Sequence, residues 1–233
     1  MMSLANPSRF VGATHFLILP LGVLTLGFFI VGLVFAFLAP PDYQQGAAVR
    51  IMFVHVPSAW MALFCYGLLA VLSFIRLIWG HRLCDIVALS CAKLGACFTF
   101  LALFTGALWG KPIWGAFWVW DGRLTSVLVL FFIYMGYLAL RSALEGRENG
   151  AKLAAYFALI GAVNLPIIKF SVIWWNTLHQ GASITKFSAP SIHVSLLVPL
   201  LIMAAGFVLF FFHVLLLEVH AEVYRRQSKK GGA

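Results

Sequence analysis

Six long runs of apolar residues constrain the fold of this 233-residue chain more than any other feature of its sequence. A helix rises about 1.5 Å per residue, so about 20 apolar residues cross the ~30 Å hydrocarbon core of a bilayer. The fifth run is of marginal length, and the others are long enough. We therefore predict six transmembrane helices, near residues 16–38, 55–79, 86–108, 125–143, 153–168 and 195–217.

The composition excludes a soluble fold. Hydrophobic residues make up 63% of the chain and charged residues only 10%, whereas charged residues make up about 25% of a typical soluble domain. The bilayer core offers no water to backbone polar groups, and the alternating pattern of a membrane β-barrel is absent, so the runs must be helices. We predict an all-α integral membrane protein with a single polytopic domain over residues 1–233. The first run is too long for a cleavable signal peptide and is expected to remain as an anchor.

Basic residues are distributed unequally between the two sides of such a bundle. Lys and Arg beside membrane spans are retained on the cytoplasmic side. If both termini lie on one side, eleven basic residues lie on or near that side. Five lie on the opposite side, namely Arg50, Lys111, Arg123, Lys169 and Lys186. This asymmetry predicts that both termini are cytoplasmic and that the loops at residues 39–54, 109–124 and 169–194 face outward.

The formal net charge of +9 does not indicate nucleic-acid binding. The basic residues on the predicted cytoplasmic side are spread over short loops and one tail, and they do not form a single continuous patch. We expect them to anchor the helices against anionic membrane lipid.

Several other residues are expected to be structural. The cytoplasmic tail at residues 219–233 is expected to be a short solvated extension from Arg225 onward, without a chemical role. The four cysteines lack the spacing of a metal site and are expected to be small buried side chains: Cys65, Cys84, Cys91 and Cys97. Four histidines near the cytoplasmic ends of helices are assigned no role: His15, His81, His213 and His220.

Tryptophan is concentrated in the predicted outer loops. The third loop contains Trp174 and Trp175, and four of the eight tryptophans lie within twelve residues of the middle loop: Trp109, Trp114, Trp118 and Trp120. An aromatic belt at the headgroup level is one explanation, but a belt normally populates both faces of the bilayer. Only Trp79 lies near the inner face. A surface of aromatic rings also suits a large, flat, apolar ligand such as a porphyrin.

Three histidines lie on the predicted outer side. His55 precedes Val56-Pro57, where proline suits the first turn of a helix, so its imidazole is expected at the outer rim of the membrane. His179 lies four residues after Trp175. Two neutral imidazoles on opposite sides fill both axial positions of heme iron. An isolated histidine is more often structural, however, and spacing alone leaves His193 as a competing ligand.

The charged residues near the aromatic loop each have two explanations. Asp121 is expected to cap the helix that begins near Leu124. Arg50, Lys111 and Arg123 are candidate partners for the two propionates of heme, or they extend toward lipid phosphates. Arg123 is the preferred candidate because it directly follows the Trp-Asp element.

The segment from Trp114 to Asp121 matches the whole W-G-x-x-W-x-W-D signature of the WWD-domain family of heme-handling membrane proteins. The variable position at Phe117 does not weaken this match. Further stretches between residues 40 and 181 resemble one branch of that family, cytochrome c maturation protein C. They include Trp109-Gly-Lys-Pro-Ile, Asp42-Tyr-Gln-Gln-Gly, His55-Val-Pro and Trp174-Trp-Asn-Thr-Leu-His-Gln.

The resemblance implies a multi-pass protein of the bacterial inner membrane that binds heme b non-covalently at its periplasmic face. It implies delivery of heme to a membrane-anchored heme chaperone, CcmE, and association with the ABC transporter subunits CcmA and CcmB and the small membrane subunit CcmD. The protein would position the partners, and no enzymatic activity is expected. The implied axial ligands are His55 and His179. The implied heme surface comprises Trp109, Trp114, Trp118, Trp120, Asp121 and Arg123.

Two other classes of membrane protein compete with this interpretation. A heme-binding electron-transfer subunit of the cytochrome b type uses histidines that face each other deep within helices, and we expect no second histidine pair with matched helical partners. A transporter without heme needs charged groups and broken helices near the midplane, whereas the predicted spans are nearly free of acidic residues. A heme site at the outer rim is therefore the preferred prediction.

Overall fold

The computed structural model describes residues 6–145, 147, 149–175, 177–179 and 192–231. In these ranges the regular secondary structure is helical, which confirms the predicted all-α fold. Two short 3-10 helices, His15–Leu17 and Ala47–Ile51, lead into longer α-helices. The α-helices are α1 (Pro7–Thr14), α2 (Ile18–Leu38), α3 (Met52–Trp79), α4 (Arg82–Trp114), α5 (Gly122–Ala143), α6 (Gly150–Gly161), α7 (Asn164–Trp174) and α8 (Val194–Gly231).

Six helical segments within the described ranges are long and apolar enough to cross a membrane, which confirms the predicted number of spans. Each overlaps one predicted helix and extends beyond it at one or both ends. The chain is therefore a multi-pass membrane protein. The six segments are Pro7–Leu38, Ala47–Trp79, Arg82–Trp114, Gly122–Ala143, Gly150–Trp174 and Val194–Lys229.

The helix ends are set by capping groups and not by the limits of the apolar runs. Asn6 begins α1, since its side chain accepts the backbone N–H of Ser8 at 3.0 Å. Gly80 after α3 and Gly115 after α4 have φ of 64° and 77°, the left-handed conformation that ends helices and favours glycine. Hydrophobicity alone does not reveal these positions, so the predicted helices are too short.

The outer loop predicted at residues 109–124 is shorter than expected. Helix α4 carries both Trp109 and Trp114, and only residues 115–121 connect it to α5. Pro112 does not end the helix, because it removes one hydrogen bond in the last turn while Gly115 N–H still donates to Lys111 O at 3.0 Å. The loop predicted at residues 169–194 is also shorter, since α7 continues to Trp174. Its residues 176 and 180–191, with Lys186, lie outside the described ranges.

Helix α3 begins earlier than the His55-Val-Pro sequence predicts. The 3-10 helix Ala47–Ile51 leads directly into α3 at Met52, so Pro57 lies inside the helix and not in its first turn. His55 consequently lies on a continuous helix that packs closely against α4. This packing, and not an exposed helix start, determines its surroundings.

Two buried tyrosines lie where α3, α4, α5 and α6 meet. The hydroxyls of Tyr66 and Tyr134 donate to backbone carbonyls of neighbouring helices at 3.1 and 2.8 Å. Buried hydroxyls need such acceptors, because an unpaired polar group in a lipid-embedded core is strongly unfavourable. Gly95 and Gly161 leave the space for them, since a Cβ at either position would overlap a tyrosine hydroxyl.

The fifth span consists of two helices that meet at residues 162–163. Helix α6 ends at Gly161 and α7 begins at Asn164. Pro166 lies in the first turn of α7, where its missing N–H is tolerated. Asn164 is buried and donates its side-chain N–H to Ser126 O at 2.9 Å, which ties α7 to α5. The break lies inside the predicted fifth run at residues 153–168 and is not visible in its hydrophobicity.

Helix α8 continues through the region that the sequence predicts as a solvated extension. Glu222 pairs with Arg225 at 2.8 Å and with Arg226 at 2.6 Å, which is the spacing that stabilises a helix. Residues 232–233 lie outside the described ranges. Cross-helix ion pairs then fix α8 to α4 and to the end of α5. We call this region the charged end; it comprises Asp85, Arg141, Glu145, Glu222, Arg225, Arg226 and Lys229.

The expectation that all four cysteines are buried is confirmed only in part. Cys65 and Cys91 are buried, Cys84 is half-buried and Cys97 is exposed on α4. An exposed side chain in the middle of a membrane helix faces lipid, which a small apolar thiol tolerates.

Candidate functional site

Aromatic side chains gather where α4 ends and α5 begins, at the opposite end of the bundle from the charged end. Trp118 and Trp120 make an edge contact with ring centroids 5.6 Å apart, and Trp120 is 75% exposed. We call this region the aromatic end; it comprises His55, Trp109, Trp114, Trp118, Trp120, Asp121, Arg123, Trp174, Trp175 and His179. Trp175 packs closely against the start of α5, because a Cβ at Gly122 would lie 3.0 Å from its ring.

His55 lies on α3 and is held by α4. Its Nδ1 lies 3.0 Å from Ala102 O and 3.2 Å from Thr105 Oγ1. Trp109, one turn further along α4, makes an edge contact with the imidazole at a centroid distance of 5.5 Å. Because Nδ1 is engaged with the protein, Nε2 is the nitrogen left to coordinate a metal.

Trp109 is itself held by Gln45, whose residue type does not indicate this role in the sequence. Its Nε1 donates to Gln45 Oε1 at 3.0 Å. Gln45 belongs to a tight turn in which Asp42 Oδ1 accepts the backbone N–H groups of Gln44 and Gln45, both at 2.9 Å. The Asp42-Tyr-Gln-Gln-Gly stretch thus supports the aromatic end.

His179 is held by a carboxylate. Its Nδ1 lies 3.1 Å from Asp121 Oδ2, and its ring makes an edge contact with Trp114 at 5.0 Å. Burial lowers the pKa of His179 below the ordinary value of 6.5, and the hydrogen bond to Asp121 acts in the opposite direction. Burial therefore favours the neutral imidazole, which is the form that binds iron.

Asp121 has two functions in this arrangement. Its Oδ1 accepts the backbone N–H of Leu124 at 2.7 Å, which confirms the predicted cap at the start of α5. Its Oδ2 faces His179. One buried side chain therefore fixes both the end of the connecting segment and the orientation of an imidazole.

The two imidazoles lie within electrostatic range of each other, and Arg123 lies within range of both. Arg123 Nε and Trp118 Nε1 are buried and have no hydrogen-bond partner among the described residues. Buried donors normally have acceptors, so these two donors of the aromatic end are available to a ligand with acceptor groups. Two imidazoles, aromatic rings and unpaired donors suit heme, which has an iron, a flat macrocycle and two propionates.

The other candidate residues have different surroundings. Arg50 donates from Nη2 to Ala39 O at 3.0 Å and lies over Phe37. Lys111 donates to Gly115 O at 3.0 Å, so it serves the end of α4. His193 is exposed, and its Nδ1 contacts Ser195 Oγ at 2.8 Å on the same segment.

Two of the remaining histidines come close together, which the sequence does not predict. His15 and His220 lie near the charged end with centroids 6.4 Å apart and rings inclined by 18°. His220 Nε2 bonds to Thr14 Oγ1 at 2.8 Å, and Thr14 donates to Phe10 O. Since the Thr14 proton is used, His220 donates from Nε2, and the contact ties the start of the chain to α8.

A family model described as heme exporter protein C, CcmC, matches residues 1–232. A heme exporter protein C of Bradyrhizobium diazoefficiens is 48% identical over 229 residues, which cover 98% of this chain and 87% of the relative. A heme exporter protein C of Escherichia coli is 46% identical over 181 residues, covering 77% and 74%. A putative cytochrome c biosynthesis ccmC-like mitochondrial protein of Marchantia polymorpha is 52% identical over 169 residues, covering 72% and 71%. This chain belongs to the CcmC family of heme exporter proteins.

Proposed function

We propose that this protein binds heme b non-covalently between His55 and His179 at the periplasmic face of the bacterial inner membrane and delivers it to the heme chaperone CcmE. Membership of the family implies a role in heme export for cytochrome c maturation. The family is one of transport and heme-handling proteins.

The observation that carries the proposal is the matched surroundings of the two histidines. Each imidazole is bound through Nδ1 and lies against the edge of a tryptophan, Trp109 for His55 and Trp114 for His179. The bond at Nδ1 orients each ring and raises the basicity of its other nitrogen. Two such imidazoles at one end of a bundle are suited to the two axial positions of a heme iron.

The remaining residues of the aromatic end have separate roles in this proposal. The tryptophan rings supply apolar surface against the macrocycle. Arg123 and Trp118 direct buried N–H groups to the propionates. Asp121 keeps His179 in the tautomer that leaves Nε2 free. When bound, heme supplies the iron and the vinyl group at which the chaperone reacts, while the protein positions and shields it.

The same proposal includes the orientation of the protein in the membrane and its partner proteins. The name heme exporter implies an ABC-type complex with other components of this pathway, and we propose CcmA, CcmB and CcmD as those components. The basic residues of the charged end support a cytoplasmic location for that end and a periplasmic one for the aromatic end. Anionic lipid headgroups would contact the charged end.

The first test is an absorption spectrum of the detergent-purified protein beside three alanine variants. Heme bound by two histidines gives a Soret band that weakens or shifts in His55→Ala and His179→Ala. His193→Ala is the matched control, because His193 also lies on the predicted outer side but contacts Ser195. An equal loss in all three variants would contradict the ligand assignment. If no heme co-purifies and added heme gives no saturable change, the heme proposal is wrong.

Delivery is tested separately. Heme-loaded protein is mixed with purified CcmE, and heme that remains on the chaperone after denaturing electrophoresis is measured. The His55→Ala and His179→Ala variants should transfer little heme, whereas His193→Ala should transfer as much as the unmodified protein. Transfer that is the same with and without this protein would contradict the delivery step.

A further inference from the structure

His55 is surrounded by one short segment of α4, and no residue of that segment carries a motif in the sequence. Ala102 O and Thr105 Oγ1 both contact His55 Nδ1, at 3.0 and 3.2 Å. Gly106 lies against the carbon between the two ring nitrogens. Ala102 and Thr105 are buried, with 3% and 8% of their surface exposed. The ring of His55 is therefore located by α4 and not only by its own helix.

These contacts determine which nitrogen of His55 carries the proton. The hydroxyl of Thr105 donates to Leu101 O at 2.6 Å, so its oxygen is left to accept. The carbonyl of Ala102 can only accept. Both partners of Nδ1 are thus acceptors, and Nδ1 must carry the hydrogen. The lone pair of the neutral ring is then on Nε2.

Gly106 provides the space that the ring occupies. A Cβ at this position would lie 2.9 Å from His55 Cε1 and 3.4 Å from Nδ1. The ring is the end of a side chain, so it would move before the helices do. An added methyl group would therefore displace the imidazole and lengthen its bonds to Ala102 and Thr105, while α3 and α4 stay in contact.

We propose that Thr105 and Gly106 are positioning residues for the axial ligand His55. Thr105 supplies a second acceptor for Nδ1 beside Ala102 O and so supports the tautomer that leaves Nε2 unprotonated, and Gly106 allows the ring to lie close enough to α4 for both Nδ1 bonds to form. This inference rests on the proposed function, because it concerns the presentation of His55 to heme iron. Neither residue contacts the iron in this proposal.

The test compares six forms of the detergent-purified full chain after removal of bound heme: the unmodified protein, Gly106→Ala, Thr105→Val, Thr105→Ser, Gly67→Ala and His55→Ala. Gly67 is the matched control, since it lies on α3 and a Cβ there would meet no atom within 4 Å. Hemin is titrated into each, and the coordination state is followed by absorption and electron paramagnetic resonance. Thermal unfolding of the heme-free proteins is measured in parallel.

Gly106→Ala should weaken hemin binding by about tenfold or more, in the range found when partners of metal-binding histidines are removed. Its spectrum should change from six-coordinate, low-spin iron toward the five-coordinate form of His55→Ala. Thr105→Val should change affinity and spectrum in the same direction by less, because Ala102 O remains. Thr105→Ser should restore both, and Gly67→Ala should equal the unmodified protein. Unfolding temperatures of the heme-free proteins should be alike.

Three results would overturn the inference in distinguishable ways. If Gly106→Ala and Thr105→Val bind hemin like the unmodified protein while His55→Ala does not, the positioning roles are wrong and the proposed function remains. If Gly106→Ala lowers the unfolding temperature of the heme-free protein, its role is in packing. If the unmodified protein shows no saturable binding, the proposed function fails, and the positioning roles fail with it.

Discussion

The two ends of the helical bundle satisfy their polar groups in opposite ways. At the charged end, Asp85 accepts from Arg141 at 2.6 Å and from Arg226 at 3.0 Å, so the basic and acidic groups of α4, α5 and α8 bind one another. At the aromatic end, Arg123 Nε and Trp118 Nε1 are buried and have no partner in the described part of the chain. The buried ionic groups around Asp85 are paired with one another, whereas these two donors of the aromatic end are not.

The difference separates groups that bind other groups of the bundle from groups that are available to the proposed ligand. A buried donor without an acceptor is unfavourable, so a chain retains one mainly where the acceptor comes from another molecule. Arg76 Nε and Ser73 Oγ, both on α3 toward the charged end, also have no described partner, so the contrast describes the two clusters of residues and not every residue at each end. It predicts that changes at the charged end reduce stability and that changes at the aromatic end reduce binding.

Replacement of Asp85 by asparagine should have the largest effect. Asp85 and Arg141 are nearly buried, with 9% and 11% of their side-chain surface exposed, so the variant leaves a buried guanidinium without its counter-charge. Breaking such a pair from one side costs about 3 kcal/mol. We expect the free energy of unfolding, measured by denaturation in detergent, to fall by about that amount. Heme affinity of the folded protein should stay unchanged.

The control for Asp85 is Glu218→Gln. Glu218 pairs with Lys93 at 2.6 Å, but the two side chains are 35% and 46% exposed. Exposed pairs contribute about 0–1 kcal/mol, so this variant should unfold almost like the unmodified protein. Equal losses of stability in the two variants would show that the charged end has no special role.

Replacement of Arg123 by glutamine should have the opposite effect to Asp85→Asn: it should reduce heme affinity and leave stability unchanged. The variant removes a buried donor that has no described acceptor, so the heme-free protein should be no less stable. A hydrogen bond from a charged group to a propionate contributes about 1.5–3 kcal/mol, which corresponds to about tenfold or more in the dissociation constant. Hemin titration of the purified variant measures this loss.

Lys111→Gln is the control for Arg123, because the Lys111 ammonium group already donates to Gly115 O. Its hemin affinity should change by much less. If the two variants lose affinity equally, the contribution of Arg123 is one of general positive charge and not of a directed hydrogen bond.

Asp121 contributes to both stability and heme binding. Replacing it by asparagine and by alanine should separate these two contributions. Asparagine retains an oxygen for the N–H of Leu124 and is a good helix cap, but its amide N–H₂ would face His179 Nδ1 and favour the tautomer protonated on Nε2. Asp121→Asn should therefore unfold normally and lose the spectrum of two-histidine heme. Asp121→Ala should also lose about 1 kcal/mol of stability with the cap. Identical unfolding of the two variants would contradict the capping role.

The sequence predicts the number and position of the spans because lipid requires long apolar runs. It does not predict their ends, which depend on single residues such as Asn6, Gly80 and Gly115. It also does not show that α8 continues as a helix through the predicted tail at residues 219–233, which stays largely exposed from Arg225 to Lys229. Arg226 finds its partner Asp85 on another helix, 141 residues away in the chain, and no local pattern reveals that pair.

The candidate site was predictable only where residue type indicates chemistry. Histidine and tryptophan in the outer loops are compatible with a porphyrin, and the signature from Trp114 to Asp121 adds the resemblance that selects His55 and His179. Gln45, Thr105 and Gly106 are ordinary residues in a membrane protein, and their importance arises from contacts between helices. Gln45 is 64 residues from Trp109, and Thr105 is 50 residues from His55. Such contacts depend on helix packing, which the apolar pattern does not specify.

The smallest expected effect lies at the exposed rim of the charged end. Hydrogen bonds from Lys229 and Arg225 lower the pKa of Glu145 from its ordinary 4.5 to about 2. A carboxyl group whose pKa is lowered on folding stabilises the folded state above its unfolded value, and this contribution is lost as the pH falls from about 4.5 toward 2. Glu145→Gln should remove the contribution of this group to the loss of stability at low pH.

The measurement for Glu145 is the difference in unfolding temperature between the unmodified protein and Glu145→Gln, recorded at pH 6 and at pH 3. The difference should be small at pH 6, because exposed pairs are screened by solvent, and smaller still at pH 3 or in high salt. Other groups that titrate over this range are common to both proteins and cancel. A difference that grows on acidification would mean that Glu145 is not held by Lys229 and Arg225, and that the ion pairs of the charged end stop at the buried cluster around Asp85.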